Sequence, residues 1–175
     1  VTIIFLIQSS SPRSLRIHDP SDESLSDAIQ TVFPMNTEWA FMVWDGVYIP
    51  LGYKYDISLL TDDVIWLLEE MALSKQGTRT IHWSSNTFSA IWHTSWDEEV
   101  VKVDAQWNCV LGGVRPLLGS SISIEKQAFV SEWKSLLVVV EKALDTAGYT
   151  ESQLPALAHL RKAIDMTPGN GALYR

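Results

Sequence analysis

The stretch from Thr78 to Trp107, TRTIHWSSNTFSAIWHTSWDEEVVKVDAQW, constrains the fold more than any other part of the chain. The breaks SSNT and DEE divide it into three segments, and each segment alternates apolar and polar residues with a period of two. Side chains alternate across a strand, so this pattern predicts three consecutive half-buried strands over 78–84, 88–96 and 100–107. Ile81, Trp83, Phe88, Ala90, Trp92, Val101, Val103, Ala105 and Trp107 share one face. Thr80, His82, Ser84, Ser89, Ile91, His93, Ser95, Lys102, Asp104 and Gln106 share the other. The continuous apolar runs of a parallel sheet covered on both faces are missing, so the strands read as an antiparallel meander.

Turn positions suggest a register. Centring the first turn on Ser85-Asn86 pairs Trp83 with Phe88 and His82 with Ser89. Centring the second on Glu98-Glu99 pairs Trp92 with Ala105 and His93 with Asp104. Both keep the apolar residues on one face, which a one-residue slip would not.

Other elements follow along the chain. TIIFLI near the start is an apolar run with no basic region before it, too short for a membrane span and poor as a signal peptide, and reads as a buried strand. SDESLSDAIQTVF predicts a helix capped by Ser21, with Leu25, Ala28, Ile29 and Val32 inward and Pro34 ending it. Asp45-Gly46 between AFMVW and VYIPL predicts a tight hairpin, and Pro50 places the second strand at an edge. Thr61 reads as the cap of a helix with Asp62-Asp63 in its first turn and a stripe of Leu60, Val64, Leu67, Leu68 and Met71. NCVLGGVRPLLGSS reads as a loop, and Ser123 as the cap of the longest helix, which runs to Ala147 before Gly148. A last helix starts near Ser152, with Pro155 in its first turn and Leu157, Leu160 and Ile164 inward. The fold expected is α+β: a mainly antiparallel sheet made of the N-terminal strand, the Asp-Gly hairpin and the three-strand meander, packed against helices, with two C-terminal helices. One domain is expected over 1–167, with a tail at 168–175.

Composition narrows the function classes. A hydrophobic content of 46% argues for a folded chain, and Cys109 is the lone cysteine, so neither a disulfide framework nor a cysteine metal site is expected. With 21 acidic against 13 basic residues the formal charge is −8. That balance lacks the basic footprint of a nucleic-acid binder and suits a basic protein partner or plain solubility. No phosphate-loop, metal or cofactor motif is present.

Two sets of residues are candidates for function. On the polar sheet face, His93 opposite Asp104, with His82 nearby, has the residue types of a small hydrolase or isomerase, since a carboxylate can fix the imidazole tautomer. The same residues also read as solvated outer-face positions, because no nucleophile or oxyanion donor set accompanies them. The loop tips Asp45 and Asp97, Glu98, Glu99, beside Trp44 and Trp96, have the residue types of a partner surface, and read equally as solvated turns over core tryptophans. Trp39 sits near a strand end with the same two readings. Trp44, Tyr48, Tyr53 and Tyr55 could instead line an aromatic pocket for a small ligand.

The hairpin VWDGVYIPL, then YKYDIS leading into an acidic helix start, then IHWSS and the meander, resembles the small bacterial immunity proteins of polymorphic toxin and contact-dependent inhibition systems, over residues 39–107. The resemblance implies a cytoplasmic, non-enzymatic protein that binds and blocks a cognate toxin, often a nuclease. It carries no residue roles onto positions here. The function expected is therefore occlusion of a basic toxin by an acidic module, off the membrane and without nucleic acid or cofactor.

Overall fold

A computed structural model describes residues 4–166; the expected tail at 168–175 lies outside them. The alternation at residues 77–110 becomes three strands, β4 (Gly77–Ser84), β5 (Phe88–Trp96) and β6 (Val100–Val110). Earlier in the chain come β1 (Phe5–Gln8), α1 (Leu25–Val32), β2 (Trp39–Trp44), β3 (Val47–Gly52) and α2 (Ser58–Leu73). After the meander come β7 (Ser121–Glu125), α3 (Lys126–Ala147) and α4 (Ala156–Asp165). The fold is α+β, with two antiparallel sheets ordered β1-β2-β3 and β4-β5-β6-β7.

The hairpin at Asp45-Gly46 forms because both residues take positive φ, 47° and 79°, which matches the twist of the strands it joins. β3 pairs only with β2, so Pro50 lies on an edge strand, where its missing N–H leaves no ladder bond unmade. The free edge of β1 meets α3, whose Glu132 carboxylate accepts from the Ile7 N–H at 2.8 Å.

The predicted inner face of the meander is buried from Ile81 to Ala105, with Trp107 half-buried at its rim. At its centre Trp92, with no exposed surface, packs against five aromatic rings. These are Trp44, Trp83, Phe88, Trp107 and Trp133, with centroids 5.2–6.5 Å away. Trp44 belongs to the other sheet and Trp133 to α3, so one side chain joins three layers. The indoles of Trp44 and Trp107 both donate to the carbonyl of Gly119, at 2.9 and 3.0 Å, which fastens the loop before β7 over this cluster.

Several expectations are corrected. The second turn has the expected register, with Trp92 opposite Ala105 and His93 opposite Asp104, but the first does not: Trp83 pairs with Ala90 and His82 with Ile91. The physical reason is Ser85, whose hydroxyl bonds to Asp56 and whose N–H donates to the Phe88 carbonyl, moving the turn one residue on. Strand β6 runs on to Val110 because a bulge opposite Ser89 and Ala90 absorbs one extra residue.

Ser123 does not cap a helix. Ser121, Ser123 and Glu125 point outward with Ile122 buried between them, and the segment pairs with β6 as a fourth strand before α3 begins at Lys126. Thr61 is no cap either. A single π-helical turn at Tyr53–Ile57 feeds straight into α2, so Thr61 lies inside the helix and its hydroxyl donates to the Ile57 carbonyl at 2.6 Å. In α1 the cap is Ser24, not Ser21; its hydroxyl accepts from the Asp27 N–H at 3.1 Å. The last helix begins at Ala156 with Pro155 as its cap residue, and Ile164 is half-buried.

Helix α3 ends where expected, at Gly148 with φ 96°, a left-handed value that favours glycine. Replacing Trp92 by Ala removes the ring that all three layers share. A loss of about 3–5 kcal/mol is expected from urea denaturation, with an unchanged m-value if the denatured state is unaffected.

Candidate functional site

The polar sheet face is the first place to look for chemistry. His93 and Asp104 are opposite in register, yet His93 Nδ1 is 3.0 Å from the Thr80 hydroxyl on the neighbouring strand, and the carboxylate of Asp104 makes no hydrogen bond to the ring. Thr80, His82, His93, Lys102, Asp104 and Gln106 are all exposed, with no element packed over them. Among the described residues the face is open and solvated; the Thr80 hydroxyl is the one nucleophile type beside an imidazole, and no cleft encloses the pair. Among the described residues no group of three His, Cys, Asp or Glu side chains is placed to hold a metal ion.

The aromatic pocket does not assemble from the residues proposed for it. Trp44 and Tyr53 are fully buried, while Tyr48 and Tyr55 stay exposed. Burial pushes the Tyr53 hydroxyl pKa well above its ordinary value, and that hydroxyl donates to the Ser9 carbonyl. A cavity beside Asp56, Trp83 and Phe88 holds about 10 Å³, room for one water and no ligand. Asp56 itself is buried and accepts from the Gly52 N–H at 2.7 Å, from the Thr87 hydroxyl at 2.6 Å and from the Ser85 hydroxyl. It closes the end of β3 onto the β4–β5 turn, which is a structural duty.

The loop-tip acids are separated. Asp45 lies beside Gly119, towards the Trp107 end of β6, whereas Asp97, Glu98 and Glu99 turn the opposite end of that strand. Six strand residues between Val101 and Trp107 put about 20 Å between the two groups. Asp97 is engaged locally: the N–H groups of Val100 and Glu99, each 2.8 Å away, hold its carboxyl below the usual range. Glu98 pairs with Lys75 at 2.7 Å. Trp44 and Trp96, at 0% and 6% exposure, are core side chains, which removes both as surface anchors. Trp39, also near a strand end, is half-buried.

Sequence periodicity missed the surface that does assemble. The inward stripe of α2 is buried as expected, but the helix is apolar on its outer side too: Leu59, Trp66 and Leu73, one heptad apart, are 48%, 47% and 65% exposed. Tyr55, one turn before Leu59, is 48% exposed. Apolar residues on both sides of a helix call for cover on both, and the described residues leave Leu59, Trp66 and Leu73 about half exposed or more. The spacing 59–66–73 was legible as a second stripe; which stripe faces outward was not.

The stripe is rigidly held and acid-flanked. Arg79 of β4 reaches Glu70 at 2.6 Å and Asp63 at 3.9 Å, clamping α2 to the sheet. The buried Glu69 meets His159 at 3.0 Å and Lys162 at 3.4 Å from α4, and the His159 ring lies 5.3 Å from Trp66. Leu73 also lines a shallow open depression of about 450 Å³ with Lys75, Asp97 and Glu98, so the apolar line runs into the acidic turn.

Because α2 continues from the π-helical turn, Asp62 and Asp63 are a turn inside the helix and lose the dipole benefit expected of them. Surrounding chain first, and the charge of Asp63 second, raise the carboxyl pKa of Asp62. The same desolvation raises Asp63 against the opposing pull of Arg79 and His82. A raised carboxyl pKa means the folded state holds the proton more tightly, so the ionised group opposes folding above that pH window. Because the Asp62 side chain is exposed and solvent screens it, Asp62→Asn should raise the Tm at pH 7 only slightly, with the gain shrinking as pH falls through the raised value; thermal melts at pH 7 and pH 4 check this.

No family model, curated protein or solved structure matches the chain. Among the described residues no helix is long and apolar enough to cross a membrane.

Proposed function

We propose that the chain is a non-enzymatic, cytoplasmic protein-binding module of the immunity type, which neutralises a cognate toxin by covering its active site. The observation that carries this reading is the apolar stripe on α2, a row of large side chains on a rigid helix that the described residues leave about half exposed or more. Large exposed apolar residues in a contiguous row mark interaction surfaces, and tryptophan is the residue that most often supplies binding energy there. The charge of −8 speeds encounter with a basic partner such as a nuclease. Catalysis by His93 and Asp104, with His82, has less support, because among the described residues the face is open and His93 bonds to Thr80 and not to Asp104.

The test is neutralisation. The chain is expressed beside a toxin encoded next to its gene, and protection is scored by growth. Trp66→Asp with Leu73→Asp should abolish protection while far-ultraviolet circular dichroism and a cooperative thermal melt are retained. Protection indifferent to both substitutions removes the α2 face from the function. His93→Ala should leave protection intact and change stability by less than about 1 kcal/mol, as exposed positions do; a turnover lost in that variant would establish an enzyme instead.

A further inference from the structure

We infer that the outer stripe of α2 docks a basic amphipathic helix of another protein and not a second copy of this chain. This rests on the protein-binding reading above and specifies its partner. The line from Leu59 to Leu73 spans about 21 Å at 1.5 Å per residue, and heptad spacing drifts only about 20° per repeat, so a straight partner helix can lie along it. With aromatic side chains of about 150–250 Å² and each residue near half exposure, the stripe offers on the order of 400 Å² of apolar surface.

A second copy is the first alternative, because the stripe is symmetric about Trp66. In an antiparallel two-fold pair Leu59 would meet Leu73 of the other copy, and Trp66 would meet Trp66. The same symmetry sets Asp62 against Glu70, an acid against an acid on each side of the paired Trp66 rings. A parallel pair sets each acid against itself. Such juxtapositions work against association. A lipid surface is disfavoured on the same ground, since interfacial helices carry cations beside their apolar face.

The acids that oppose self-pairing complement a cationic partner. Three of the nearby cations are already paired with acids, Arg79 with Asp63 and Glu70, Lys162 with Glu69, and Lys75 with Glu98, while Lys54 lies over the Tyr55 ring at the other end. Asp62, between Leu59 and Trp66, has no ion-pair partner among the described residues. A helix with large apolar residues one heptad apart and Lys or Arg three or four positions from them places cations over Asp62, with further cations towards Asp97 at the Leu73 end.

Two fluorescein-labelled 21-residue helical peptides with the same Leu and Trp heptad spine, one flanked by Lys and one by Glu, provide the probes. Fluorescence anisotropy should show the Lys peptide binding the full chain, with affinity falling as salt rises. Trp66→Ala should weaken binding at least tenfold, and Asp62→Lys should weaken the Lys peptide while admitting the Glu peptide. Trp66 and Asp62 are exposed, and thermal melts confirm that the variants fold.

Equal affinity for the two peptides, or indifference to Trp66→Ala, overturns the inference. So does a dimer by light scattering that Trp66→Ala dissociates, which makes a second copy the occupant. Toxin neutralisation that needs Trp66 without any binding of the Lys peptide overturns only the partner chemistry. Neutralisation that ignores Trp66 overturns the protein-binding reading of this face itself.

Discussion

The packing of Trp92 is the constraint on which the rest of the structure depends. Its ring lies where β5, the first sheet and α3 converge, with Trp44 and Trp83 both 5.2 Å away and Trp133 at 6.3 Å. Trp83 meets it edge to face, at 90°, the arrangement that puts the positive ring edge on the negative face. Aromatic rings this large leave few alternative packings, so the two sheets and α3 have one mutual placement that closes the core. The indoles of Trp44 and Trp107 then share the Gly119 carbonyl, which brings the glycine-rich loop onto the cluster and delivers β7 to the edge of β6.

A polar joint completes what the aromatic core begins. Asp56 takes hydrogen bonds from the last residue of β3 and from two hydroxyls of the β4–β5 turn, so one buried carboxylate ties the first sheet, the start of α2 and the second sheet together. Removing solvent from a carboxylate is costly unless donors replace the water, and three donors do so here. At the other end of α2, the Trp96 indole and the buried Lys126 ammonium both reach the Ser74 carbonyl at 3.3 Å. With both ends fastened, and Arg79 and His159 gripping its flanks, α2 presents its outer side as a fixed surface. That rigidity suits the proposed docking role of Leu59, Trp66 and Leu73, since a fixed helix has little ordering entropy to lose on association.

The candidate site was less legible than the fold. Loop tips with acids and tryptophans drew attention because turns carry function, but a tryptophan beside a turn can fold back into the core, as Trp44 and Trp96 do. His93 and Asp104 were brought opposite each other as their spacing required, yet a cross-strand neighbour, Thr80, took the imidazole. Register places backbones; rotamers and competing partners place functional atoms.

The sequence by itself determined the strands of the meander, their inner face, the Asp45-Gly46 hairpin, the edge position of Pro50, the glycine stop at Gly148 and the acidic charge. Each is set by local stereochemistry or by a period of two, and needs no knowledge of distant residues. The SISIE alternation of β7 was also there to be read, though a serine before a helix competes with it. Tertiary structure decided the rest. The first turn's register follows from a Ser85–Asp56 bond across 29 residues, and the start of α2 from a π-helical turn stabilised by that same carboxylate. Which side of α2 faces the core was decided last, because a helix with large apolar residues on both sides is oriented only by what packs against it.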